Sequence, residues 1–157
     1  MAKNLVHGIL IELSTGSETF AQTSDNAYIG IVGKGGGSEF PITWHEEGSF
    51  PKSSEVKYIF GSVYTGITGT AHPPDPDGWN DPRNRQIIIE DVDYVYLRKE
   101  GTRQLGYDNA WKVEKVKVVL YAPDITSPTP KRTFERGDPI WLANEYGLQV
   151  YLVETTD

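Results

Sequence analysis

Acidic side chains crowd one short segment of the chain, between residues 75 and 81. Asp75, Asp77 and Asp81 lie there with a glycine and an asparagine, so several potential oxygen ligands fall within two short turns. Calcium takes about six to eight oxygen ligands, often carboxylates and carbonyls that turns bring together. The segment resembles the front of a D-x-D-G calcium loop, but Gln86 stands where an EF-hand has its bidentate glutamate. The segment therefore predicts a calcium site, with simple turn capping as the alternative.

Aromatic side chains in or beside polar loops are the second candidate. Phe20, Trp44 and Trp79 occupy such positions, and prolines and polar residues around Trp79 leave it little core to join. An aromatic ring at a loop tip can insert at the headgroup level of a membrane while its polar edge stays hydrated. We therefore predict membrane or ligand contact at these three residues. The alternative is a ring folded back onto its own loop.

The sequence gives little support for a catalytic site. The histidines His7, His45 and His72 are far apart, and no Gly-x-Ser-x-Gly nucleophile elbow occurs. We expect all three histidines at the surface. Asp91 and Asp93 alternate with tyrosines and are predicted to share one side of a strand, where a solvated face is a plainer interpretation than a glycosidase pair. The absence of cysteine excludes thiolate chemistry. We predict that the protein is not an enzyme.

Composition limits the class of partner. The net charge is −7 and the sequence pI is about 5.0, and no cluster of Lys and Arg is interleaved with aromatics. An acidic surface repels phosphate backbones, so nucleic-acid binding is disfavoured. An acidic protein can still approach an anionic membrane if a bound cation screens its carboxylates. The expected partners are a membrane surface or a lipid-associated protein.

Length and hydropathy favour one domain over residues 1–157. No apolar run approaches the ~18 residues that a membrane-spanning helix needs. The apolar stretch near the N-terminus contains His7 and Glu12 and has no small-residue cleavage site, so it indicates a strand and not a signal peptide. A cytoplasmic or peripheral-membrane location is expected, with export left open.

Alternation of apolar and other residues is the main structural signal. Ile9, Ile11 and Leu13 share one parity, and similar alternation recurs along the chain, whereas helical spacing never persists beyond a turn. The 16 glycines and 10 prolines suit turns between short strands. These patterns predict an antiparallel β-sandwich of about seven or eight strands. Trp111 and Trp141 are expected to fill the space between its sheets.

Two blocks of sequence carry a family resemblance. The first is SDNAYIGIVG at 24–33, followed by SEFPI at 38–42, and the second comprises Trp111, Val116, Val118, Phe134 and Trp141-Leu142. In residue type and spacing, both resemble the PLAT/LH2 family, the β-sandwich domain of lipoxygenases, pancreatic-type lipases, polycystins and some bacterial toxins. The first block is similar to the Thr-Asp-Ala-Asn-Val-Tyr-Ile strand of that family. The middle of the chain departs from the pattern.

The resemblance implies a function as well as a fold. It implies a PLAT/LH2-like β-sandwich that works as a non-catalytic binding module and targets a membrane, lipid or protein through loops at one end, with possible calcium assistance. Family members often bind calcium in such loops, and Asp25 and Asn26 match the loop-to-strand position. The resemblance therefore adds these two residues to the candidate metal ligands.

Two other functions stay open. The chain can be a protein-interaction or structural subunit of a larger assembly or toxin, without lipid contact, that uses a sheet face such as the one with Tyr94 and Tyr96. It can also be a carbohydrate-binding sandwich that uses Trp79 and Tyr64. The sequence leaves the oligomeric state open.

Overall fold

The computed structural model describes residues 3–34, 36–42, 50–61, 71–72, 81–101, 103–104, 107–108, 110–123 and 129–155. Strands dominate these residues, and two short 3-10 helices, Pro82–Asn84 and Ile89–Asp91, precede the middle strand of the chain. The described residues contain no α-helix. The all-β prediction is therefore confirmed.

The strands fall into long and short ones. Those with six or more residues are β1 (Gly8–Thr15), β2 (Ala27–Gly33), β3 (Gly36–Pro41), β4 (Glu55–Gly61), β6 (Val92–Lys99), β9 (Trp111–Ala122) and β10 (Thr129–Arg136). The short ones are β5 (Ala71–His72), β7 (Arg103–Gln104), β8 (Tyr107–Asp108), β11 (Ile140–Leu142), β12 (Gln149–Tyr151) and β13 (Val153–Thr155).

Two sheets form a β-sandwich. The larger sheet has the order β13-β10-β9-β1-β4-β5, with β11 also beside β9, and the smaller sheet has the order β12-β6-β2-β3. Among the described strands, every pairing is antiparallel except the two-residue pair of β4 with β5. β2 and β3 form a hairpin, and Gly36 adopts a positive φ of 117° next to its tip. β7 and β8 pair separately.

One face of each sheet builds the core. On β1, the buried residues Ile9 and Ile11 have the predicted common parity, and on β2 the buried residues are Ile29 and Ile31. Period-two alternation places such residues on one side of a strand, so both sheets direct an apolar face inward. The buried side chains from both sheets form one continuous cluster.

Trp111 lies in this core, as predicted. Its side chain is fully buried, its ring centroid is 4.5 Å from that of Phe50, and its indole Nε1 donates a hydrogen bond of 3.0 Å to Thr15 Oγ1. The bond satisfies the only polar atom of the ring, so the indole is buried without a desolvation penalty. Trp111 thereby connects the beginning of β9 with the end of β1.

The prediction for Trp141 was wrong. Trp141 is only partly buried, and it lies opposite Lys112 in the pairing of β11 with β9. Its neighbour Leu142 is opposite Trp111 and takes the inward position. Strand alternation therefore directs Trp141 to the outer side of the larger sheet, where the Lys112 ammonium lies 5.8 Å from its ring centroid.

Replacement of Trp111 tests which indole fixes the fold. Trp111→Ala leaves a cavity between the sheets, so we expect it to lower the free energy of unfolding by about 3–5 kcal/mol. Trp141→Ala is the matched control, and its cost should be nearer to about 1 kcal/mol because the ring lies outside the core. Urea unfolding measures both. Equal costs for the two variants would contradict the assignment of Trp111 to the core.

Candidate functional site

Large exposed hydrophobic side chains mark the surfaces available for contact. Among the described residues they are Leu5, Phe20, Val32, Tyr94, Tyr146, Tyr151 and Val153. Single exposed apolar residues are normal, whereas grouped ones indicate interaction sites. Phe20 and Tyr146 lie at one end of the sandwich, and Tyr94 and Tyr151 lie on the outer face of the smaller sheet. These two surfaces are the candidates.

Four chain segments meet at the first surface, which we call the loop end: residues 16–26, 50–54, 100–101 and 143–148. The backbone N–H of Gly16 donates to Lys112 O at 2.9 Å, and that of Ser53 donates to Gly16 O at 3.0 Å. On the side of the smaller sheet, the Lys99 N–H donates to Leu148 O at 2.8 Å. Backbone bonds therefore tie these segments to the strand ends of both sheets.

Phe20 protrudes from the loop end. Its side chain is 77% exposed, and its φ of 66° lies in the left-handed region that bulky residues rarely adopt. Such a conformation costs about 1–3 kcal/mol and persists only where the surroundings enforce it. The Ala21 N–H donates to Glu18 O at 3.1 Å, and the Lys112 N–H donates to Ala21 O at 3.0 Å. These bonds enforce the turn that presents the ring.

The turn is also held by charge. The Lys112 ammonium forms an ion pair with the Glu18 carboxylate, and the hydrogen bond from Lys112 lowers the pKa of Glu18. Glu18 therefore stays ionised at neutral pH. The predicted contact residue Phe20 thus sits on a turn that β9 fixes in place, and it is not folded back onto its loop.

Tyr146 is a second exposed aromatic at this end, and the sequence analysis missed it. It is 71% exposed and lies in the turn between β11 and β12, where its N–H donates to Ala143 O at 3.2 Å. Gly147, with a φ of 109°, completes the turn. The tripeptide Glu145-Tyr146-Gly147, with an aromatic next to a turn glycine, is the signal that could have identified it.

Asp25, a predicted metal ligand, is buried beneath the loop end. Its Oδ2 lies 2.6 Å from the Lys99 ammonium, and both side chains are almost completely buried. Lys99 also donates to Glu100 O at 2.8 Å. The adjacent candidate Asn26 donates from Nδ2 to Glu100 Oε2 at 3.2 Å. A calcium ion at Asp25 would have to displace an ammonium group that already neutralises the carboxylate.

Asp81 lies at the opposite end of the sandwich, near the strand ends where Gly8 of β1 pairs with Gly61 of β4. It caps the first 3-10 helix, and it accepts hydrogen bonds from the backbone and the guanidinium of Arg83. The hydrogen bonds from Arg83 lower the pKa of this carboxyl. The structure therefore does not bring Asp81 together with Asp25.

The remaining predicted contact and metal residues, Trp44, Asp75, Asp77 and Trp79, lie outside the described residues, as does Tyr64. Within the described ranges, no group of three or more His, Asp or Glu side chains is arranged to bind a metal ion. The predictions for the 75–81 segment stay predictions.

Two smaller expectations need correction. Asp91 ends the second 3-10 helix and binds Lys3 at 2.6 Å, whereas Asp93 lies in β6, so the two do not share one face of a strand. His7 is partly buried, and its buried Nδ1 has no hydrogen-bond partner among the described residues. The cause of the first error is the 3-10 helix, which interrupts strand alternation before Val92.

The second surface, the tyrosine face, is formed by Tyr28, Tyr94, Tyr96 and Tyr151. Strand register aligns Tyr151 with Tyr96 and Tyr96 with Gly30 across three neighbouring strands. A side chain at position 30 would collide with the Tyr96 ring, whose atoms lie 2.0–2.5 Å from the place of a Cβ. Gly30 thus lets this ring lie flat on the sheet. The predicted common face of Tyr94 and Tyr96 is confirmed.

A polar network fixes the middle of the tyrosine face. Glu39 accepts hydrogen bonds from Arg98 at 2.8 and 2.9 Å and from the Tyr96 hydroxyl at 2.6 Å. The bonds from Arg98 lower the pKa of Glu39. Burial, followed by the bond to Glu39, raises the pKa of Tyr96 to about 12. Tyr96 therefore stays a neutral donor at physiological pH.

The fold recurs in parts of larger proteins. Over 97% of its length, the chain is similar to 32% of the alpha toxin of Clostridium absonum, with 17% identity and a TM-score of 0.60. The Clostridium perfringens alpha-toxin of avian strain SWCP gives the same coverages and TM-score with 19% identity. At this identity the likeness shows the fold alone.

A coral 8R-lipoxygenase, which is activated by calcium via a C2-like domain, shares 16% identity with the chain at a TM-score of 0.53. The alignment covers 94% of this chain and 17% of that enzyme. The chain therefore spans about a third of the toxins and about a sixth of the lipoxygenase. These likenesses confirm a PLAT/C2-like β-sandwich.

No protein-family model matches the chain, and no curated protein matches it either. Within the described residues, no helix is long and apolar enough to span a membrane. The comparisons thus support the fold alone.

Substitutions at the buried ion pair test whether Asp25 is structural. Asp25→Asn leaves a buried ammonium without its counter-ion, so we expect a loss of about 3–5 kcal/mol in unfolding free energy. The double variant Asp25→Leu/Lys99→Met removes both charges and should recover most of that loss. Glu18→Gln, which breaks a more exposed pair with Lys112, is the control and should cost less than about 1 kcal/mol. A loss for Asp25→Asn as small as that of the control would contradict a structural role.

Proposed function

We propose that the protein is a non-catalytic binding module that targets a membrane surface through the loop end. The observation that carries this proposal is Phe20, a ring 77% exposed on a turn with a left-handed backbone. The left-handed backbone costs free energy and yet holds an apolar ring in water, and backbone strain of this kind clusters at functional sites. A membrane interface is an environment in which that ring is favourable.

The free energy expected from insertion of Phe20 suits reversible attachment to a membrane. Transfer of a phenylalanine side chain out of water contributes about 1.5–3 kcal/mol. Tyr146 at the same end adds a second ring whose hydroxyl can stay at the headgroup level. Because the turn is already fixed, little conformational entropy is lost on binding. The shared fold with parts of a toxin and a lipoxygenase is consistent with a module of this kind.

Vesicle binding tests the loop end. We expect Phe20→Ala to weaken binding to liposomes at least about tenfold, since it removes most of the transferred apolar area. Leu5→Ala is a matched control. Leu5 is also an exposed apolar residue, but it pairs with Ile88 and does not belong to the loop end. Co-sedimentation measures both variants. Unchanged binding of Phe20→Ala would overturn the proposal, as would an equal effect of the control.

Calcium assistance is a separate part of the proposal, and it now rests on Asp75 and Asp77. We expect chelator-stripped protein to release or absorb heat on calcium titration, and Asp75→Asn/Asp77→Asn to remove that signal. Asp25→Leu/Lys99→Met should keep the signal, because the Asp25 carboxylate is occupied by Lys99. Isothermal titration measures all three. No heat from the wild type at millimolar calcium would end the calcium prediction.

Two other functions are distinguished by the same assays. A protein-interaction or structural subunit without lipid contact would fail to sediment with liposomes of any composition. A carbohydrate-binding sandwich that uses Trp79 and Tyr64 would bind glycans, and those two residues lie outside the described part of the chain. We favour the membrane because the first alternative uses Tyr94 and Tyr96 and the second uses Trp79 and Tyr64, whereas the exposed ring at the loop end is Phe20.

A further inference from the structure

The tyrosine face contains a corner of two exposed rings and one partly buried ring. Tyr94 is 59% exposed and Tyr151 is 57% exposed, and their ring centroids lie 5.6 Å apart at an interplanar angle of 53°. Tyr96 lies 6.2 Å from Tyr151 at an angle of 82°. Rings at such angles do not form a flat platform. They form a corner, and the π face of each ring carries the negative part of an aromatic quadrupole.

Aromatic corners of this kind attract cations, and this face already binds one. The Arg98 guanidinium lies 4.3 Å from the ring centroid of Tyr28. Among the described residues, no cation of the protein lies over Tyr94, Tyr96 or Tyr151. The net charge of −7 also favours a cationic ligand over an anionic one. The corner is therefore available to a cation from outside.

The surroundings select the type of cation. A guanidinium or a primary ammonium needs hydrogen-bond acceptors, and Glu39, the acceptor beside Tyr96, is already bound by Arg98 with two bonds. An exposed apolar neighbour is Val32, which is opposite Tyr94 in the strand register. A quaternary ammonium requires no acceptor, and it contacts both π faces and methyl groups favourably. A methylated cation is the best match.

We propose that the corner of Tyr94, Tyr96 and Tyr151 binds the trimethylammonium group of choline headgroups at a lipid surface. This inference rests on the proposed membrane-targeting function and names its lipid. Tyr96 lies three residues before Lys99 at the loop end, which is about 10 Å along the strand. A bilayer that meets the outer face of the smaller sheet therefore brings choline headgroups to the corner. Choline lipids carry no net charge, so the acidic protein meets no net repulsion there.

Titration with free choline tests the site without a membrane. Tyrosine ring resonances of Tyr94 and Tyr151 should shift on addition of choline. They should not shift with 3,3-dimethylbutan-1-ol, which has the same shape and no charge. Tyr94→Leu or Tyr151→Leu should weaken choline binding about two- to fivefold each, the range for one exposed cation–π contact. Tyr94→Phe and Tyr151→Phe keep the π face and should bind as the wild type does.

Equal binding of the neutral alcohol, or no loss in the leucine variants, would overturn the corner as a cation site. The two residues are more than half exposed, so the leucine variants should fold, and unchanged thermal unfolding is the check. Equal losses in the leucine and phenylalanine variants would also contradict the proposal, because the effect would then come from the hydroxyl groups.

Vesicles identify the source of the choline group. We expect tighter sedimentation with phosphatidylcholine than with phosphatidylethanolamine vesicles, both of which lack net charge, and Tyr94→Leu/Tyr151→Leu should remove this preference. Phe20→Ala should weaken binding to both vesicles and keep the preference. Choline binding without binding to either vesicle would overturn the lipid surface as the source of the choline group, and with it the proposed function. The corner would then be a site for a soluble choline compound. Vesicle binding without a choline preference would overturn this inference and leave the proposed function standing.

Discussion

Burial of one face of each sheet against the other is the constraint on which the rest of the structure depends. It assigns every second residue of the long strands to the core, and it leaves the alternate residues for the outer faces. The two outer faces then differ. Leu10, Val119 and Tyr121 form a second buried cluster on the larger sheet, whereas the smaller sheet exposes Tyr94 and Tyr151. Among the described residues, the tyrosine rings exposed on a sheet face are therefore those of the smaller sheet.

The loop end is rigid for reasons that begin in the core. Trp111 is fixed by Phe50 and Thr15, and the next residue, Lys112, holds the Phe20 turn through its backbone and its ammonium group. A strained turn is thus attached to a strand whose first residue is fully buried. This coupling explains how a left-handed phenylalanine persists. It also means that the loss of Trp111 would affect presentation of Phe20 as well as stability.

Alternation made most of the fold predictable, and local interruptions explain the failures. The common parity of Ile9 and Ile11 follows from period-two patterning, and the burial of Trp111 follows from the cost of leaving a large aromatic ring in water. Trp141 was misplaced because sequence alone does not tell which parity of a three-residue strand faces inward. The 3-10 helix before Val92 similarly separated Asp91 from Asp93.

The candidate site was less predictable because its chemistry depends on residues distant in sequence. Nothing local pairs Asp25 with Lys99, 74 positions later, yet that pair changes a candidate calcium ligand into a buried structural charge. Tyr151 likewise joins Tyr94 and Tyr96 only through the pairing of β12 with β6. The polar loop around Phe20, in contrast, predicted the exposure of its ring, although Lys112, distant in sequence, fixes the turn that presents it. Structural features that one segment determines can be inferred from the sequence, whereas features that strand pairing determines require the fold. The corner of Tyr94, Tyr96 and Tyr151 depends on strand pairing.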